Sequence, residues 1–385
     1  MMPSEGYGEF AGRWERNAQL AWDTIALKPT DGISCWMLNI MEWSVLERLA
    51  GAKPGDYERE PERVYRDGQL RGGVGFIDQW IPRNPLTIGS HGYEAGKRRT
   101  ATEGLEQIVL DGRLMDSPEA VAAHLGQVEF PRLRAQIAAP DAAPDALIAR
   151  EVEVQKHFGT AMLKGPYDGF QEFPRFRYYD YGYANYFMAY ALYPELMEED
   201  FRLQADLAVK RNAAAARAIV DGGLPRLVRL DHDMADSRGM LVDIKTLDRI
   251  WFPHFARAIE PFLRAGIRLI WHCDGNLMDM VPRLLECGLG GFQGFQYEDG
   301  MDYEKICRLK TRDGDGLFII GGVSVTTTLP LGTPADVRRH LDWLVEKGPK
   351  VGLMIGVSSS IAPGVPWANM QALVEGLAYY RSHRH

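Results

Sequence analysis

Three stretches share one design: RLVRLDHDMAD at 226–236, RLIWHCDGN at 268–276 and GFQGFQYEDG at 291–300. Each opens with a short, largely apolar run and ends in acids, imidazole or amide. Runs apolar on both faces suit strands of a parallel sheet that is covered on both sides. Two later runs repeat the pattern, FII before Gly321-Gly322 and LMIG shortly before the Ser358–Ser360 hydroxyls. From about residue 200 onward such runs alternate with helical patterns, which points to parallel α/β architecture.

Working outward, the expected strands are Val74–Ile81, Thr160–Leu163, Arg226–Leu230, Arg268–Trp271, Gly291–Gln296, Leu317–Ile320 and Gly352–Ile355. Helix starts are marked at Ser117-Pro118-Glu119 and Thr333-Pro334-Ala335-Asp336, where a hydroxyl precedes proline at the first helical position. A long amphipathic helix is expected over about Pro194–Val220, and AAPDAAPDA, Ala138–Ala146, reads as a surface loop between helices. No GxGxxG follows the first strand and no Walker sequence is present, which disfavours a nucleotide-binding sheet. The expected fold is therefore α/β, a (β/α)8 TIM-type barrel with an N-terminal helical extension. One domain would span 1–385, with the extension over about 1–70 and an insertion-rich, aromatic segment over about 85–200.

Composition excludes several classes. Of 385 residues, 46% are hydrophobic and 25% charged, as in a soluble globular enzyme. Forty-four Lys and Arg face 52 Asp and Glu, a net charge of −8, so a phosphate-backbone ligand is disfavoured and no nucleic-acid partner is expected. Cys35, Cys273, Cys287 and Cys307 are too scattered for a disulfide framework, and no CxxC is present. No secretory signal and no apolar run of about 18 residues is visible, so no membrane association is expected. The expected location is the cytoplasm, with reduced thiols.

In a (β/α)8 barrel the functional groups sit where the strands end. His272 and Asp274 are two apart, the spacing that puts both on one face, and Cys273 between them should point the other way. Asp233 and Glu298 join them as the candidate catalytic set. Asp231, His232, Asn276, Gln296, Ser359, Lys164, Tyr167 and Phe170 form the candidate substrate-binding set. Plainer readings stand beside these. His232 could donate to a backbone carbonyl, Glu298 could face water, and Asp236 reads best as the cap of the next helix. Gly321-Gly322 could merely relieve crowding. The segment 167–187, YDGFQEFPRFRYYDYGYANYF, could wall a planar substrate or could be a packed extension or a homodimer interface.

The C-terminal half resembles the uroporphyrinogen decarboxylase superfamily. The resemblance rests on GIRLIWHCDGN (266–276), ECGLGGFQGFQYEDGMDYEKI (286–306), IIGGVSV (319–325), LPLGTPADV (329–337) and SIAPGVPWANMQALVEGLAYYR (360–381). EPERV at 60–64 and a strand ending near Asp78 suit the family's layout more loosely. The resemblance implies a (β/α)8 barrel and one of two chemistries. One is cofactor-free decarboxylation, with an Asp and arginines gripping the substrate's carboxylates. The other is alkyl transfer to thiols or corrinoids at a zinc held by a His-x-Cys pair and a later Cys.

The chain departs from both patterns. SCWMLNIMEW, Ser34–Trp43, stands where the decarboxylase has an Arg-rich loop, and it holds no arginine. Asp274 stands where the zinc pair would have its Cys, and Ser359 near where the last Cys would fall. What the resemblance implies is a methyltransferase that demethylates a small methylated, perhaps methoxyaromatic, compound and passes the group to a separate corrinoid protein. A zinc with hard ligands would be held by His272, Asp233 and Glu298. The alternative is a metal-free decarboxylase acting on a small carboxylic acid or tetrapyrrole-like substrate, with His272 and Asp233 moving protons and Asp274 orienting the imidazole.

Overall fold

The computed structural model describes residues 6–83, 108–140 and 143–384. A short 3-10 turn, Gly6–Phe10, and the helix Arg16–Ile25 form the N-terminal helical extension. Among the described residues, eight parallel strands follow in chain order. They are β1 (Ser34–Cys35), β2 (Phe76–Ile77), β3 (Leu163–Lys164), β4 (Leu227–Asp231), β5 (Arg268–His272), β6 (Gly291–Gln293), β7 (Phe318–Val323) and β8 (Leu353–Val357).

Ladders join β4 to β5, β5 to β6, β6 to β7, β7 to β8 and β8 to β1. A single parallel bridge, Trp36 to Phe76, carries β1 to β2, and β2 pairs with β3. This is the circular order of the (β/α)8 TIM-type barrel. Between β3 and β4 no ladder forms among the described residues, and side chains span the seam instead. The Tyr167 hydroxyl, three residues past β3, donates to Asp231 of β4 at 2.7 Å.

The barrel begins earlier than the sequence reading expected. SCWMLNIMEW holds the two-residue strand β1, so the helices Trp43–Ala50 and Pro61–Arg71 connect β1 to β2 and are not part of a leading extension. The other strands lie within a few residues of expectation. β2 and β6 are the exceptions: of the expected Val74–Ile81 only Phe76–Ile77 is strand, and β6 ends at Gln293 because Gly294 takes φ +81° and leaves the extended conformation. The long helix runs Pro194–Asp221. Ser117 and Thr333 cap their helices, Thr333 in a reciprocal box with Asp336. Part of Ala138–Ala146 lies outside the described residues, as does 84–107 of the insertion-rich segment.

Packing accounts for the aromatic run. Phe170, Phe173, Phe176, Tyr178, Tyr181 and Tyr186 are all buried. Phe173 packs on Phe255 and Trp271, which ties the segment to β5 and its neighbouring helix. Burying a large aromatic contributes roughly 2–3 kcal/mol, so the segment is held firmly over the β4–β5 side of the barrel. The glycine pair on β7 also serves packing. A Cβ at Gly322 would run into the backbone of Val357 and Ser358, and one at Gly321 would press on Leu344 and Tyr303. No helix among the described residues is long and apolar enough to cross a membrane.

Candidate functional site

The pairing register sets which side chains meet. Asp231 of β4 lies opposite His272 of β5, and His272 lies opposite Gln293 of β6. Partners in register share a face, so these three groups project to the same side at the carboxyl ends of their strands. Asp233 and Asp274 follow in the loops just beyond. The Asp274 backbone N–H donates to Asp233 Oδ1 at 2.9 Å, which locks the two loops together.

Asp233, His272 and Asp274 form one group whose ligand atoms lie within 4.8 Å of one another. His272 Nε2 is 3.9 Å from both Asp231 Oδ1 and Asp274 Oδ1. Asp274 Oδ1 and His272 Nδ1 are buried without a hydrogen-bond partner, and Ser359 Oγ donates to Asp274 Oδ2 at 3.2 Å. Burial raises the Asp233 pKa above the ordinary carboxylate range, and the neighbouring Asp274 charge adds to the rise. Gly294 leaves the space that the imidazole occupies. A Cβ there would stand 2.6 Å from His272 Cε1 and closer still to Nδ1.

Asp231 behaves differently. Burial pushes its pKa up, but His272 and Arg229 nearby, with bonds from Tyr167 and Arg229, outweigh burial and hold it well below the usual range. Arg229 Nη1 donates to Asp231 at 2.8 Å, and its Nε donates to Asp78, just past β2, at 2.7 Å. The guanidinium lies 5.3 Å from the Trp36 ring centre and 4.8 Å from that of Tyr167. Arg229 and Asp78 are both almost wholly buried, so a pair of opposite charges crosses the barrel interior beneath the mouth.

Several expectations need correction. Glu298 is not in the His272 group. It sits in a 3-10 turn, Tyr297–Asp299, and its carboxylate accepts from Ser324 at 3.3 Å and from Thr326. Asp274 takes the place expected for Glu298, because the β6 chain turns away at Gly294. Lys164 pairs with Ile77 in register, and its ammonium donates to buried Glu151 at 2.6 Å, so it is a structural ion pair.

Phe170 is wholly buried. His232 is also structural. Its Nε2 accepts the Phe176 backbone N–H at 3.0 Å, and its ring stacks on Tyr178. Burial lowers its pKa to about 3, with Arg175 contributing. The bond runs opposite to the donation expected of it. Asp236 caps no helix. It accepts from the Arg238 backbone within a tight hairpin, and Asp243 caps the next helix instead.

The remaining expected residues are placed as follows. Gln296 Oε1 accepts the Gly275 N–H at 2.5 Å, and Asn276 Oδ1 accepts from Met278. Both therefore shape the loop that carries Asp274. Cys273 points away from His272 and receives the Met234 N–H at 3.3 Å. Burial, with Asp233 nearby, pushes its thiol pKa well up, so it stays a neutral thiol. All four cysteines are free.

Sequence reading missed Arg229, Asp78, Gln293 and Trp36. Arg229 carried a signal: a lone cation inside an otherwise apolar strand requires a buried anion. Gln293 donates to the Ser358 carbonyl at 3.1 Å, and its Oε1 is buried without a partner. A cavity of about 330 Å³ adjoins the group, lined by Asp231, His232 and Asp233 and by residues of the aromatic segment, including Arg175 and Tyr179.

Fold and site together define a (β/α)8 barrel with an acid- and imidazole-bearing mouth. The family model for uroporphyrinogen decarboxylase (URO-D) matches residues 207–379. Over that span, a little under half of its length, the chain is similar to the uroporphyrinogen decarboxylase family. A solved methyltransferase from Methanosarcina mazei superposes with a TM-score of 0.57 at 15% identity, covering 96% of this chain and 99% of that one. At that identity the likeness shows the fold. A protein assigned as a vitamin-B12-independent methionine synthase from Listeria monocytogenes reaches a TM-score of 0.34 at 16% identity, over 60% of this chain and 66% of its own. That score carries no weight for the fold. A search of curated proteins returns no match.

Proposed function

We propose that the chain is a methyltransferase that removes a methyl group from a small methylated compound and passes it to a corrinoid carried by a separate protein. The carrying observation is the Asp233, His272 and Asp274 group, one imidazole and two carboxylates with ligand atoms within 4.8 Å. Two carboxylates this close repel each other unless one takes up a proton or a cation lies between them, and a cation would answer both at once. The buried, unpartnered Asp274 Oδ1 is a ready ligand atom. The donor set suits zinc, which accepts imidazole nitrogen and carboxylate oxygen and keeps a position free in catalytic sites. Asp233, His272 and Asp274 would hold it, with Asp274 replacing Glu298 in the set expected from sequence. A bound zinc supplies Lewis acidity at the substrate heteroatom, which makes the attached methyl group a better electrophile.

The chain's own residues do the positioning. Gly294 makes room for the imidazole, Ser359 orients Asp274, and Arg229 with Tyr167 keeps Asp231 ionised beside His272. The methyltransferase among the fold's neighbours is in keeping with this reaction class.

The test is to incubate zinc-loaded protein with a ¹³C-methyl aryl ether and free cob(I)alamin, and to follow methylcobalamin by NMR. Methylcobalamin that needs the protein and disappears with chelator supports the proposal. Release of carbon dioxide from carboxylic acids in strong chelator, with no methyl transfer, would replace it with a lyase.

A further inference from the structure

The mouth has an unassigned cation. Arg175 lines the 330 Å³ cavity together with Asp231 and Asp233. Its backbone is fixed on both sides by Gln204 of the long helix, which accepts from Arg175 N at 2.8 Å and donates to its carbonyl at 3.1 Å. Its guanidinium lies 4.7 Å from the Phe173 ring centre, and Nη2 donates to the Gln171 carbonyl and side chain, each at 3.1 Å. Those contacts orient the group but are all to neutral partners.

No carboxylate among the described residues lies within ion-pair distance of Arg175, and its Nε and Nη1 have no protein acceptor there. Arg177, which also lines the cavity, contrasts with it. Arg177 is bonded to Asp200 at 3.0 Å and to Glu129 at 3.4 Å, so its charge is already answered. A half-buried, pre-oriented guanidinium with spare donors is suited to an anionic ligand group. The acids that share the cavity do not cancel that preference. Asp231 is answered by Arg229, and Asp233 belongs to the His272 group.

We infer that Arg175 anchors a carboxylate on the substrate, so that the substrate is a small methylated carboxylic acid. Its acid end rests on Arg175 and its methyl-bearing end reaches the Asp233 wall. The cavity is at the small end of the range for ligand sites, roughly 300–1,000 Å³, which limits the molecule to about one ring. Arg175 is then a specificity residue that reads charge at the end remote from the reacting atoms. The inference rests on the methyltransferase reading only for the identity of the methyl-bearing end.

Binding is tested directly, without turnover, by calorimetry of the full chain with 4-methoxybenzoate and its neutral isostere 4-methoxybenzamide. The expected result is preferential binding of the carboxylate, lost by about 10-fold to 100-fold in Arg175→Gln and partly kept in Arg175→Lys, with the amide indifferent to both. Equal binding of acid and amide, or Arg175→Gln binding the acid as the parent does, would overturn it. So would an unfolded Arg175→Gln together with an Arg175→Lys protein that binds both probes alike. Repeating the titration in strong chelator separates the two claims. Carboxylate preference that survives chelation leaves the anchor standing even if metal-dependent methyl transfer fails.

Discussion

Gly294→Ala probes how the His272 ring is held. The parent backbone is in the left-handed region at φ +81°, where a side chain costs about 1–2 kcal/mol. The new Cβ would also stand 2.6 Å from His272 Cε1, whereas ordinary contact begins near 3.4 Å, so the ring must move by about 1 Å. At this chain length the backbone penalty lowers Tm by about 1–3 °C, a small effect. The displaced ring matters more, because Nε2 is then out of line with Asp233 and Asp274. Disturbing a metal ligand's support typically weakens affinity about 10-fold to 100-fold. Zinc competition with a fluorescent chelator measures that change, and differential scanning calorimetry measures the first. A Gly294→Ala protein that binds zinc as tightly as the parent and melts at the same temperature would refute the reasoning, since the ring would then not be where the contact places it.

Two further outcomes follow. His272→Ala should abolish methyl transfer while circular dichroism shows an intact fold, because a residue at the mouth contributes little to the core; normal turnover would remove His272 from the chemistry. His232, buried and neutral with a pKa of about 3, gives stability that is complete above its unfolded pKa of about 6.5. As pH falls from about 6.5 toward 3 the unfolded chain binds a proton that the folded chain refuses, so stability falls by up to about 1.4 kcal/mol per pH unit. His232→Gln, which can still accept the Phe176 N–H, should flatten that slope in urea melts taken between pH 7 and 5. An unchanged slope would mean that His232 protonates in place.

How much was legible in the sequence depended on length and on partners. Long apolar runs ending in polar groups made β4, β5, β7 and β8 readable, and with them the His272 and Asp274 pair. β1 was not readable, since two residues at the start of SCWMLNIMEW have no period to detect, and its strand character comes from pairing with β8. Glu298 and Asp233 both follow strand-like runs, and only the turn at Gly294 carries Glu298 away toward Ser324. His232 and Lys164 are polar residues at strand ends like their neighbours. Their partners, Phe176 and Glu151, lie 56 and 13 residues away, so nothing local marked them as structural.

The central claim is that Asp233, His272 and Asp274 hold a metal at the barrel mouth. Diffraction from crystals of the zinc-loaded protein, recorded above and below the zinc absorption edge, tests it most directly. One anomalous peak is expected within about 2.0–2.2 Å of His272 Nε2 and of a carboxylate oxygen from each aspartate, absent in His272→Ala. A peak at Glu298, or none at the mouth from crystals soaked in zinc, would contradict it.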